Sequence, residues 1–81
     1  MIYKLSNHAL DVISTRDINI GWIEFVLDNP SLKNDISDIE VNYFAIIEDN
    51  DSRCLKVVVN PITKIIITAY FDRNMRKKGC K

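Results

Sequence analysis

Three apolar runs in the second half of the chain, Glu40–Glu48, Arg53–Asn60 and the run that starts at Lys64, follow one another with only the turn clusters Asp49–Ser52 and Asn60–Thr63 between them. Links this short cannot make the crossover that parallel neighbours need, so the runs are expected to pair as an antiparallel meander. Their β-branched and aromatic content (Val41, Tyr43, Phe44, Ile46, Val57–Val59, Ile65–Ile67) fits strands, and the Asp, Asn, Ser and Pro residues between them fit turns.

Side chains alternate across a strand. Tyr43, Ala45 and Ile47 therefore lie on one face and Phe44 and Ile46 on the other, while Ile65 and Ile67 oppose Ile66 in the last run. A sheet that is apolar on both faces needs cover on both. Before it, Ser6 is placed to cap a helix running to about Arg16, with Leu5 and Leu10 at staple positions. Asn19 caps a second helix, with Ile18 and Ile23 as its staple and Ile20, Trp22, Ile23, Val26 and Leu27 as a wide apolar face, and Pro30 ends it. Ile2–Leu5 is either a short edge strand or a lead-in, and Ser31–Asp38 reads as a polar loop. The expected fold is α+β, with two N-terminal helices packed on a three- or four-stranded antiparallel sheet. Two short helices cover one sheet face, so a homodimer or a tight partner is expected on the other.

At 81 residues the chain makes one domain, residues 1–81, and its core is small enough that stability is modest. A content of 47% hydrophobic and 27% charged residues excludes intrinsic disorder. The net charge of zero conceals an asymmetry: residues 73–81 hold Arg73, Arg76, Lys77, Lys78 and Lys81 and no acid, which leaves the rest of the chain at −5. This basic tail suits nucleic acid, an acidic partner, the acidic body of its own fold, or plain solvation as a terminus. Cys54 and Cys80 form neither a disulfide framework nor a metal-ligand spacing and read as reduced thiols. No apolar stretch has the length of a signal peptide's core or a membrane span, so a cytoplasmic protein without membrane contact is expected.

Chemistry concentrates in Lys64–Arg76, KIIITAYFDRNMR. Strict alternation puts Thr68 and Tyr70 with Ile66 on one face, leading into Asp72, Arg73 and Arg76. A hydroxyl-bearing face that runs into arginines can gather a phosphate; the same residues also suit a central strand with a solvated end. His8 is the one histidine and sits in the first helical turn, where the helix N-terminus disfavours imidazolium; it is a candidate base near neutral pH, or a border residue touching solvent. Arg16 falls on the bearing of the first helix's apolar stripe, so it needs an anion, an internal partner such as Asp17 or Asp72, or an escape past the helix end. With only Gly21 and Gly79 there is no Gly-rich phosphate loop, and there is no Cys/His cluster for zinc; neither a metal nor a cofactor is expected.

His8-Ala9, Arg16-Asp17-Ile18 and Thr68-Ala69-Tyr70-Phe71-Asp72-Arg73 together resemble small bacterial and phage domains of unknown function. Those domains are related to the BrnT-like and RelE-like toxins of the barnase, EndoU, colicin and RelE ribonuclease superfamily. The resemblance implies a RelE-like fold and, in active members, metal-independent RNA cleavage under the control of an antitoxin. By its motifs it assigns the catalytic positions to His8, Arg16, Thr68 and, more weakly, Tyr70, and phosphate contact to Arg73, with Arg76, Lys77 and Lys78 adding RNA contact from the tail. The expected function is an RNA-directed, toxin-like endoribonuclease; the alternative is a non-catalytic protein- or RNA-interaction module with the same fold. The acidic body departs from the basic surface usual in RNA binders, so RNA contact would rest on the tail and the arginines.

Overall fold

The computed structural model describes residues 2–81. Strand β1 (Lys4–Leu5) leads into helices α1 (Asn7–Thr15) and α2 (Ile20–Asp28), followed by strands β2 (Leu32–Ser37), β3 (Glu40–Ile47), β4 (Arg53–Asn60) and β5 (Ile65–Phe71). A 3-10 turn, Glu48–Asn50, joins β3 to β4, and a second, Met75–Lys78, follows β5. The fold is α+β: two helices on one face of a mixed five-stranded sheet of order β1-β5-β4-β3-β2.

The helix starts follow their caps. Ser6 is extended, and its Oγ accepts the Ala9 N–H at 3.0 Å while donating to the Ile67 carbonyl at 3.0 Å, so one side chain both caps α1 and moors it to β5. Asn19 Oδ1 accepts the Gly21 N–H at 2.7 Å at the start of α2. The end of α1 is a Schellman motif: Arg16 N–H donates to the Val12 carbonyl, Ile18 N–H donates to the Ile13 carbonyl, and Asp17 takes the left-handed conformation at φ 53°. Ile18 is thereby turned into the core.

The meander is as expected: β3 pairs antiparallel with β4, and β4 with β5. Two corrections make the sheet larger than three or four antiparallel strands. Ser31–Asp38 is not a loop but contains β2, which pairs antiparallel with β3 from Leu32↔Phe44 to Ser37↔Glu40. An edge strand needs no alternating apolar face, and Lys33, Asn34 and Asp35 on it discourage pairing with other chains. Residues Lys4 and Leu5 pair in parallel with Ile65 and Ile66, which makes the sheet mixed. Everything between those strands acts as the crossover that parallel pairing requires.

Between helices and sheet lie Ala9, Ile23 and Val26 against Val41, Ala45 and Ile47 of β3, Leu55, Val57 and Val59 of β4, and Ile66 and Ala69 of β5. At roughly 1.5–3 kcal/mol per fully buried aliphatic side chain, this layer is the main stabilising element. On the opposite face, Phe44, Cys54 and Cys80 form a second cluster with Leu32, Ile46 and Met75. The second face is thus covered in part by the chain's own C-terminal segment.

The reduced-thiol reading is overturned there: Cys54 and Cys80 are joined as a disulfide with Cα atoms 6.3 Å apart. The 3-10 turn and Gly79, at φ 116°, reverse the chain so that Cys80 returns to β4, a contact that a separation of 26 residues does not signal. Disulfides persist in oxidising compartments, so free thiols no longer support a cytoplasmic location. No helix among the described residues is long and apolar enough to cross a membrane.

Candidate functional site

The direction in which Thr68 points is set by a β-bulge. Val58 pairs with Thr68 but Val59 pairs with Ile66, so β5 carries one extra residue, Ile67. The bulge lets Ile66 as well as Ala69 and Phe71 join the helix-side core. Ile66 therefore does not share a face with Thr68, as strict alternation required. Thr68 and Tyr70 look away from the helices, onto the partly covered second face.

The strand registers arrange that face in rows. Asn42, Val58 and Thr68 lie side by side across β3, β4 and β5, and Phe44, Lys56 and Tyr70 form the next row. The Lys56 ammonium donates to the Tyr70 hydroxyl at 2.9 Å, and its Nζ lies 5.2 Å from the Tyr70 ring centroid and 5.9 Å from that of Phe44. Lys56 is half-buried in a central strand, held by one phenol and two aromatic faces. In the neighbouring row Asn42 is 5% exposed and its Oδ1 has no hydrogen-bond partner among the described residues.

His8 and Arg16 lie elsewhere. Both are exposed on α1, His8 in its first turn and Arg16 as its C-cap residue, on the helix side of the sheet. Arg16 escapes the apolar stripe because the helix ends at Thr15 and the Schellman turn carries its side chain into solvent. The sheet therefore separates His8 and Arg16 from Thr68 and Tyr70, and the four do not share a groove.

Arg73 and Arg76 do come together, with a residue that the sequence reading passed over. They line a cleft of about 200 Å³ with Arg53, Cys54, Phe71 and Asp72, at the end of β4 and β5. Lys77 and Lys78 are exposed on the adjoining 3-10 turn. A larger open groove of about 560 Å³ runs between α2 and the end of β3, lined by Trp22, Phe25, Ile46, Glu48 and Asp49 among others, and contains none of the expected catalytic residues. Among the described residues no cluster of three or more His, Cys, Asp or Glu is placed to hold a metal ion.

Lys56 had a legible signal: a lysine between Cys54 and Val58 on one face of a central strand is rarely buried without partners. Arg53 had none, because its neighbours in the cleft, Phe71, Arg73 and Arg76, come from another strand and the turn beyond it. Residues 5–71 match a family described as a domain of unknown function (DUF4258). No curated protein and no solved structure matches the chain.

Proposed function

The chain belongs to the DUF4258 family, and from that premise we propose that it is an RNA-directed protein of the toxin-like kind, related to the RelE-like and BrnT-like ribonucleases, with the sheet face opposite the helices as its RNA-facing surface. The Lys56–Tyr70 pair carries this reading. Because the ammonium donates to the phenol oxygen, the Tyr70 proton is free to be donated outward, to a phosphate oxygen beside a fixed positive charge. Thr68, half-buried in the neighbouring row, flanks the pair with a further hydroxyl for a ribose or base edge. Cleavage of RNA by its own 2′-OH needs an acceptor for the 2′-OH proton, a proton donor for the leaving 5′-oxygen and cations around the phosphate, and it requires no metal when these are supplied. Tyr70 is the donor, Lys56 and the arginines of the tail are the cations, and solvent water takes the 2′-OH proton; His8 and Arg16 stand on the other side of the sheet. An antitoxin or a second copy of the chain belongs to the same reading as its restraint.

A second reading, a non-catalytic interaction module, is favoured by one observation: the only histidine stands on the far side of the sheet from Tyr70. One experiment separates the two. Labelled single-stranded RNA is incubated in chelator with the wild type and with the Lys56→Gln, Tyr70→Phe and His8→Ala variants, and binding and cleavage are read in parallel. Cleavage lost about 10-fold or more in Lys56→Gln and Tyr70→Phe but kept in His8→Ala is the expected result. Binding without cleavage selects the module. RNA binding that neither sheet-face substitution weakens refutes this surface.

A further inference from the structure

We infer that Arg53, Arg73 and Arg76 form a site for a phosphate group at the end of the β4–β5 ladder. The inference deepens the RNA reading by giving its phosphate contact a place, and it rests on observations independent of the Lys56–Tyr70 pair. The β4–β5 register pairs Leu55 with Phe71, and the Asp72 N–H donates to the Cys54 carbonyl at 2.9 Å, which brings the turn that holds Arg73 beside the start of β4, where Arg53 stands. Arg76 is brought to the same cleft by the turn Met75–Lys78.

Among the described residues none of these guanidinium groups has a carboxylate within ion-pair distance. Asp72 is the one carboxylate lining the cleft, and its Oδ1 accepts the Asn74 N–H at 3.0 Å. Among the described residues the single ion pair is Lys33–Asp35, so all three guanidinium groups lack an acidic partner. The Arg53 side chain and the backbone that carries Arg73 and Arg76 are held in place by separate means. The Arg53 guanidinium lies 5.0 Å from the Phe71 ring centroid, and Phe71 is itself set edge-on against Trp22 at 6.0 Å. Arg73 follows directly on the last ladder hydrogen bond, and the turn carrying Arg76 is pinned by the Cys54–Cys80 disulfide.

Guanidinium groups that line one cleft without an acidic partner match the oxygens of a phosphate. The cleft volume of about 200 Å³ is below the ~300–1,000 Å³ usual for whole small-molecule ligands, and so fits a phosphate group rather than an entire nucleotide. That group is either the terminal phosphate of a strand or one in its backbone.

The test uses the full oxidised chain and amide NMR at constant ionic strength. Titration with inorganic phosphate is expected to give saturable shifts at Arg53 and Asp72–Asn74, with affinity falling about 10-fold or more in Arg53→Gln and in Arg73→Gln and unchanged in Lys33→Gln. The same short RNA with a 5′-phosphate and with a 5′-hydroxyl then identifies the source. Tighter binding of the phosphorylated form, abolished by Arg53→Gln, assigns the site to a terminus; equal binding of both, weakened by Arg53→Gln, assigns it to the backbone. Absence of saturable phosphate shifts, or equal affinity in the wild type and both arginine variants, overturns the inference, even if RNA binds through the sheet face. Phosphate binding without RNA binding leaves this site standing and removes the RNA reading.

Discussion

Replacing Cys80 by serine opens a covalent loop whose ends are 26 residues apart. In the chain-entropy description, closing a loop of that length restricts the unfolded ensemble by roughly 3.5 kcal/mol at 25 °C. A domain of 81 residues has a total stability of about 4–12 kcal/mol, so the loss takes a large share of it. The cross-link spans the β4–β5 hairpin, which already pairs through its own ladder, and it adds only the return of residues 72–80 onto Cys54. Its contribution should therefore appear as a shift in the urea midpoint of the oxidised protein relative to Cys80→Ser, with a steeper dependence on urea in the variant because its unfolded chain exposes more surface. The wild type under reductant should coincide with the variant to within about 1 kcal/mol, since serine keeps most of the Cys80 volume against Phe44. A loss below about 1 kcal/mol, or equal midpoints with and without reductant, would show that the loop closure does not constrain the chain in this way.

Ser6→Ala removes the acceptor for the Ala9 N–H and the donor to the Ile67 carbonyl, and should cost about 1–2 kcal/mol in a thermal or urea melt; Ser6→Thr should recover most of it, and an unchanged midpoint in the alanine variant would deny the cap its role. Burial first, and then the Tyr3 hydroxyl and its charge and the Asp35 carboxylate, push the Tyr43 phenol above its ordinary value. The folded state thus holds that proton more tightly than the unfolded state, and the stability associated with it is kept below the ordinary phenol value near 10 and lost as pH rises through the higher folded value. Urea melts at stepwise increasing alkaline pH should show Tyr43→Phe losing stability more gently than the wild type, and parallel curves would contradict the assignment.

Much of the fold was legible because it depends on local chemistry. Ser6 and Asn19 cap the two helices by bonds that their side chains make to residues two and three positions on, and the meander follows from turns too short for any other connection. What was not legible depends on distant partners. The polar strand β2 exists because β3 offers it a ladder, and the parallel strand β1 exists because β5 does. The candidate site failed in the same manner. One inserted residue, Ile67, decides which neighbours Thr68 has, and a bulge leaves no trace in a run of isoleucines. The hydroxyl-to-arginine progression along Lys64–Arg76 did lead toward a plausible surface, but its basic partners, Lys56 and Arg53, come from another strand.

The pairing of β1 with β5 also bears on how the chain is made. Lys4 N–H donates to the Lys64 carbonyl and Ser6 N–H to the Ile66 carbonyl, so β1 waits for β5, the last strand of the sheet to be synthesised among the described residues. Synthesis at about 5–20 residues per second leaves α1 without its mooring for several seconds, long compared with the microseconds in which a helix forms and melts. During that interval α1 and α2 have no completed sheet to pack on, and their apolar faces are open to chaperones or to any partner that binds unassembled helices. The order of translation thus gives this small domain a window of vulnerability that its finished architecture conceals.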